Sequence, residues 1–183
     1  RPYKPITGEA GDVSNAARKL AWRADDYHIR YNYGDLDVNE SAIEENRQLY
    51  DREVAWVDEN LGRLFDRLET KGLLDETVVM ITADHGELFG ERGMMSHVKL
   101  VDDAVTRVPL VVNGSDVLTE TSEELVQHAD LMQTLVGMVG ASTDQFQGID
   151  LPTESRDFVV VQTCPSSLDP VLEHNPGFDT SRY

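Results

Sequence analysis

Asp84 and His85 are adjacent in the sequence, and Gly86 and Glu87 follow them. A carboxylate oxygen and an imidazole nitrogen are both competent ligands for a divalent cation. Neighbouring side chains in a tight turn can face one ion where a glycine removes steric bulk. Two ligands do not make a site. A stable cation site takes roughly four to six, so the remaining ligands must come from elsewhere in the fold. Taken alone, an Asp-His pair more often caps a turn than holds an ion. His97 and Lys99 stand further on, and by themselves they read as surface or packing residues.

The elements around this segment place it at the end of a strand. Ser14 or Asn15 caps a helix expected to run to about residue 30, and Gly34-Asp35 closes that segment. Residues 40–71 contain no proline and one glycine, and Tyr50, Val54, Val57, Leu61, Leu64, Phe65 and Leu68 step by three or four. That spacing is one face of a helix. Ser41 with Glu44 has the form of a capping box, and Gly72 stands where a left-handed C-terminal cap belongs. Residues 77–82 (TVVMIT) form a short β-branched run that reads as a buried strand. Further strands are expected at 108–112 and 157–162, with a helix at 127–139. Helix followed by strand, repeated, indicates an α/β fold with a mainly parallel sheet flanked by helices. In such sheets ligands bind beyond the carboxyl ends of the strands, which is where Asp84-His85-Gly86-Glu87 lies.

Composition narrows the partners. The 183 residues hold 34 Asp+Glu against 16 Lys+Arg, for a formal charge of −18. Phosphate backbones need a basic face, so nucleic acid is excluded as the main partner. An anionic membrane surface is disfavoured on the same ground. The apolar runs, such as 78–81 and 108–112, are too short to span a bilayer. No signal peptide is visible, and a cytoplasmic location is the expectation. One cysteine, Cys164, excludes an internal disulfide and a Cys-based zinc cluster. Lys is scarce, four against twelve Arg, and Asp outnumbers Glu nineteen to fifteen. This excess of surface carboxylate suits solubility in concentrated salt, so a halophilic source is expected. Glu44-Glu45, Asp102-Asp103 and Glu123-Glu124 read as solvated faces. Trp22, Tyr27, Tyr31 and Tyr33 read as packing residues rather than a sugar platform.

The segment also resembles the sulfatase family of the alkaline phosphatase superfamily. The matching residues are Thr82-Ala83-Asp84-His85-Gly86-Glu87, Gly90-Glu91-Arg92-Gly93, His97, and Arg107-Val108-Pro109-Leu110. Upstream, Tyr50, Glu53, Val54, Asp58, Gly62, Leu64, Leu68, Gly72-Leu73 and Thr77-Val78-Val79 are similar to the long helix and strand that precede that motif. Downstream the match takes in Asp130, Thr134, Leu135, Gly140 and Gly148-Ile149-Asp150-Leu151. The likeness covers roughly residues 40–152. It implies an alkaline-phosphatase-like fold and hydrolysis of sulfate esters, with phosphate or phosphonate esters as the substrates of near relatives. By resemblance Asp84 is the family's late metal-ligating Asp, and His85 the neighbouring ligand. His97 matches a residue that contacts the sulfuryl oxygens or the leaving oxygen, with Lys99 the fallback for that role. The implied cofactor is a divalent metal, Ca²⁺ first, with Mn²⁺, Mg²⁺ or Zn²⁺ as alternatives. The physics agrees with those roles. Sulfuryl transfer spreads negative charge over the oxygens, and cations aimed at them stabilise the transition state. A histidine can also protonate a leaving alkoxide.

Family members also carry an early pair of metal-binding Asp residues and a nucleophile in a Cys/Ser-x-Pro-x-Arg context. Neither stands upstream of Tyr50. Thr163-Cys164-Pro165-Ser166-Ser167 is no substitute, because the proline follows the cysteine directly and no arginine occupies the final position. The expectation is therefore a partial domain. Residues 1–163 would be the C-terminal portion of a sulfatase-like α/β domain, and 164–183 an irregular tail or the start of a further segment. Such a chain would be inactive in isolation and, with sheet edges exposed, prone to self-association. A degenerate, non-catalytic domain that binds a cation or a partner is the reading from a different class. His128, ahead of Asp130, reads as a capping residue, while His28 and His174 carry no motif.

Overall fold

The computed structural model describes residues 13–21, 27–97, 101–114 and 122–162. These fall into two compact units. The first contains everything described up to Leu74 together with Ala83–Val108; the second contains Asp75–Thr82 with Pro109–Gln162.

In the first unit, α1 (Asn15–Ala21) and α2 (Tyr27–Asn32) lie on either side of residues 22–26, which are outside the description. Ser14 serves α1 as anticipated, its hydroxyl accepting from the Ala17 N–H at 3.2 Å. The long helix α3 (Glu40–Thr70) has the extent its periodicity predicts. Its cap differs. The Asn39 carboxamide accepts from the Ala42 N–H at 2.9 Å, and Ser41 lies inside the first turn, donating to the Asn39 side chain. The helix begins two residues earlier than a Ser41–Glu44 capping box requires, because Asn39 reaches the free amides first. Lys71 and Gly72 close it, with Gly72 at φ +66 and its N–H on the Glu69 carbonyl.

The N-terminal part of α3 packs against α1 through small residues, with Ala17 and Ala42 both buried. Further along, Tyr50, Val54, Val57 and Leu64 are 43–52% exposed. The periodic stripe is present, but in this chain much of it faces solvent. A two-stranded antiparallel hairpin, β2 (Leu88–Phe89) with β3 (Met95–Ser96), also rests on α3. Its inward residues Leu88 and Met95 are buried, and the Phe89 ring meets Tyr50 edge-on at 5.0 Å. The single turn α4 (Asp103–Thr106) is capped by Asp102, whose carboxylate accepts from the Ala104 N–H at 3.0 Å. Asp102 is thus a cap held further by Arg92, rather than part of a solvated acidic face.

In the second unit, β1 (Val79–Thr82) pairs with β4 (Leu110–Asn113), Val79 opposite Asn113 and Thr82 opposite Leu110. The pairing is antiparallel, as it is in the hairpin, so the mainly parallel sheet expected from sequence is not what the described residues form. The cause lies in the connection. Parallel neighbours need a crossover, usually a helix of a dozen residues laid over the sheet. Between β1 and β4 the chain makes a hairpin and one helical turn, then returns from the end at which it left. Gly114 closes β4 at φ +82, where a Cβ would come within 2.2 Å of the Thr77 carbonyl oxygen.

Helix α5 (His128–Met138) matches the predicted 127–139 segment. Asp130 on its first turn is fully buried. It accepts from the Gln127 N–H at 2.8 Å, from the Ile149 N–H at 3.0 Å and from the Arg156 guanidinium. The expected strand at 157–162 does not form. These residues belong to neither sheet, and Phe158 and Val160 are more than two-thirds exposed. β-branched composition favours a strand only where a neighbouring strand receives it. The expected tail at 164–183, with Cys164, lies outside the described residues.

Candidate functional site

The first unit brings together the polar segment after β1 and the residue that follows β3. Gly86 is the wedge between them and α4. Its N–H donates to the Val105 carbonyl at 2.7 Å, and a Cβ there would lie 2.0 Å from the Ala104 carbonyl oxygen. Glycine is therefore required by the approach of the α4 backbone, a stronger demand than the freedom to turn two ligands towards one ion.

Asp84 projects into solvent, its side chain 87% exposed. The backbone N–H of His85 donates to its Oδ1 at 2.9 Å. That bond, followed by the electrostatic pull of His85, holds the Asp84 carboxyl below its ordinary value of 3.8. Its other oxygen lies 3.5 Å from His85 Nε2. His85 Nδ1 is 2.9 Å from the Gly86 carbonyl oxygen. A carbonyl can only accept, so Nδ1 is the donor of this pair, and Nε2 is the nitrogen turned to Asp84.

His97 lies against His85, ring centroids 3.7 Å apart and planes at 31°. Its Nδ1 is 3.1 Å from Glu87 Oε2, and both side chains are about four-fifths buried. One ligand atom from each of His85, Glu87 and His97 can be chosen so that all lie within 4.8 Å of one another. Sequence reasoning took Glu87 only as part of a motif; its position two residues after His85, across a glycine, was the available signal.

The position of His97 is set from further away. Asn32, the last residue of α2, donates to the Met95 carbonyl at 2.9 Å and accepts from the Met95 N–H at 2.7 Å, both bonds buried. It pairs with β3 as a neighbouring strand would. Ser96 then takes φ +71, an uncommon conformation for a non-glycine residue, and turns the chain before His97. An Asn at a helix end reads as a cap, so sequence gave no sign of this role. The Gly90–Gly93 block is scaffolding. Glu91 accepts from the Phe89 N–H and pairs with Arg47 at 2.9 Å, while Arg92, at φ +54, pairs with Asp102.

Of the predicted site residues, Asp84, His85 and His97 stand together, and Lys99 lies outside the described residues. His128 is the exposed first residue of α5, in the second unit. Among the described residues no helix is long and apolar enough to cross a membrane.

Comparison with known proteins adds to this geometry. The family model described as Sulfatase matches residues 8–141. Choline-sulfatase of Rhizobium meliloti is 28% identical over 113 residues, 62% of this chain and 22% of that protein. N-acetylglucosamine-6-O-sulfatase of Bacteroides thetaiotaomicron is 29% identical over 180 residues, 94% of this chain and 28% of that protein. A sulfotransferase of low-salt glycan biosynthesis from Haloferax volcanii is 32% identical over 99 residues, 51% of this chain and 24% of that protein. The chain thus spans about a quarter of the length of these curated relatives.

Proposed function

The chain belongs to the sulfatase family, and from that membership we propose that it is the C-terminal part of a metal-dependent sulfuric ester hydrolase. In this reading Asp84 and His85 are metal ligands, and His97 meets the sulfuryl group or the leaving oxygen. Lys99 is the second candidate for that contact. The supporting observation is the juxtaposition of Asp84 Oδ2, His85 Nε2 and the His97 ring, with the first two 3.5 Å apart.

The donors suit a divalent ion. Two ligands of one ion, at bonds of about 2.1–2.4 Å, lie about 3–3.5 Å apart, and Asp84 Oδ2 with His85 Nε2, 3.5 Å apart, meets that condition. Ca²⁺ is the ion the resemblance favours, and such an ion when bound would polarise the ester oxygens and keep a nucleophile deprotonated. The chain's own contribution is orientation. Glu87 lies 3.1 Å from His97 Nδ1 and orients the ring, and a proton carried by that imidazole would pass to the departing alkoxide. Substrates are proposed to be sulfate esters of small alcohols or sugars, the kind named by the relatives. The acidic excess supports a halophilic setting, in which salt screens repulsion of an anionic substrate to within a few Å.

The test is hydrolysis of p-nitrophenyl sulfate by a longer protein that contains this chain, in dilute and in molar salt. Asp84→Asn and His97→Gln are each expected to lower kcat/KM by roughly 10²–10³-fold, as loss of a transition-state contact does. The 183-residue chain alone is expected to show no turnover. Wild-type rates in Asp84→Asn would remove the metal-ligand assignment, and a rate that falls in molar salt would remove the halophilic one.

A further inference from the structure

We infer that His85, Glu87 and His97 form a three-ligand site for a transition-metal dication of the Zn²⁺ class, chemically different from the position at Asp84 and sharing His85 with it. The donor set carries the assignment. Two imidazole nitrogens and one carboxylate oxygen suit a borderline ion, whereas Ca²⁺ and Mg²⁺ need a set made mostly of oxygen donors, and this one holds a single carboxylate. The spacing agrees. A tetrahedral ion with bonds of about 2.1 Å separates its ligands by about 3.4 Å. The Glu87–His97 pair is 3.1 Å apart, and one ligand atom from each of the three residues can be chosen with every separation within 4.8 Å.

The support for these ligands is already in place. The Gly86 carbonyl holds His85 Nδ1, which makes Nε2, 3.5 Å from the Asp84 carboxylate, the ligating nitrogen. The Gly86 N–H ties the segment to α4, and Asn32 holds Met95 two residues before His97. The three side chains are 39%, 21% and 22% exposed, which leaves an entry path and room for a water as fourth ligand. An ion so placed would occupy His85 and withdraw His97 from any substrate, so it would compete with ion binding at Asp84. The three-ligand site itself does not depend on the sulfatase reading.

The chain's net charge of −18 gathers dications loosely, so the experiment compares ions and variants. The tag-free 183-residue chain is titrated calorimetrically with Zn²⁺ and with Ca²⁺, and with Co²⁺ while its d–d absorption is recorded. We expect one Zn²⁺ equivalent bound more tightly than Ca²⁺, and the intense Co²⁺ bands of four- or five-coordination. Glu87→Gln and His97→Ala should each weaken Zn²⁺ at least as much as loss of an outer-shell partner does, roughly 10–100-fold. Asp84→Asn removes a charge beside His85 but no ligand of this site, so it should weaken Zn²⁺ less than either. Far-UV circular dichroism confirms folding, and His97→Asn replaces any variant that fails it. Zn²⁺ bound no more tightly than Ca²⁺ overturns the inference, as does Zn²⁺ affinity that falls in Asp84→Asn and survives in Glu87→Gln.

Discussion

Glu87 and Asp130 each meet a nitrogen partner, in different compact units of the chain. Asp130 is fully buried and receives two backbone N–H groups besides the Arg156 guanidinium. Those donors tie the start of α5 to residues 149 and 156, and Gly148 lets that segment approach so closely that a Cβ would lie 2.3 Å from the Ala129 carbonyl oxygen. Glu87 keeps about a fifth of its side chain in solvent and faces an imidazole that is itself stacked on another. A buried carboxylate whose acceptor sites are filled from three directions is committed to holding the fold. A half-open one beside two imidazoles can exchange its partner for an ion. Burial and saturation, rather than residue type, divide the two roles.

The sharpest way to break this comparison is to delete both carboxylates. Asp130→Ala leaves Arg156 with a side chain only 15% exposed and no counter-ion at that position, and it frees the Gln127 and Ile149 amides. A loss of about 3–5 kcal/mol is expected, the usual result of breaking a buried pair from one side. Glu87→Gln should shift stability by no more than about 1 kcal/mol, one hydrogen bond's worth. Urea denaturation of both variants measures the difference, and equal losses would erase the distinction.

A second contrast uses one substitution at two glycines. Gly86→Ala drives a Cβ into the Ala104 carbonyl and should destabilise by about 1–3 kcal/mol. Gly62→Ala, within α3 and with nothing within 4 Å of the added atom, should stabilise by about 0.5–1 kcal/mol. Thermal melts of the two variants should therefore move in opposite directions. A neutral Gly86→Ala would mean that the loop carrying His85 and Glu87 is not clamped.

What was legible in the sequence follows from which interactions are local. The extent of α3 and of α5 shows in their periodicity, and β1 and β4 in their apolar runs. The α3 cap was misplaced because Asn39, Ser41 and Glu44 are all competent, and geometry chooses among them. Strand direction was misjudged because pairing depends on the path between strands, which no strand's own residues encode. The run at 157–162 had the composition of a strand without a receiving neighbour. Asp84, His85 and His97, singled out by motif and resemblance, stand together in the structure. Asn32 was not singled out, since its partner is 63 residues away. Asp130 lay within the resemblance without a role, because a saturated carboxylate is recognised only once its donors are in place.

The smallest expected effect concerns Glu91, which lies between the two extremes. Its side chain is 39% exposed, yet it holds the Phe89 N–H and pairs with Arg47. Burial pushes its carboxyl upward, but the Phe89 N–H, its own backbone N–H and Arg47 outweigh that and hold it below 4.5. A carboxyl whose folded value is depressed contributes stability above its unfolded value and loses that contribution as pH falls through the folded one. Glu91→Gln should therefore be less stable than wild type at neutral pH by about 0.5–1 kcal/mol, the exposed geometry keeping the effect small. The gap should close as pH drops below 4.5, where the wild-type carboxyl is protonated as well. Urea midpoints of the two proteins across that range give the answer, since background titration of the other carboxylates is common to both. A gap that stays constant with pH would mean that Glu91 acts by shape alone, which would move the hairpin beneath His97 to the Asp130 side of the comparison.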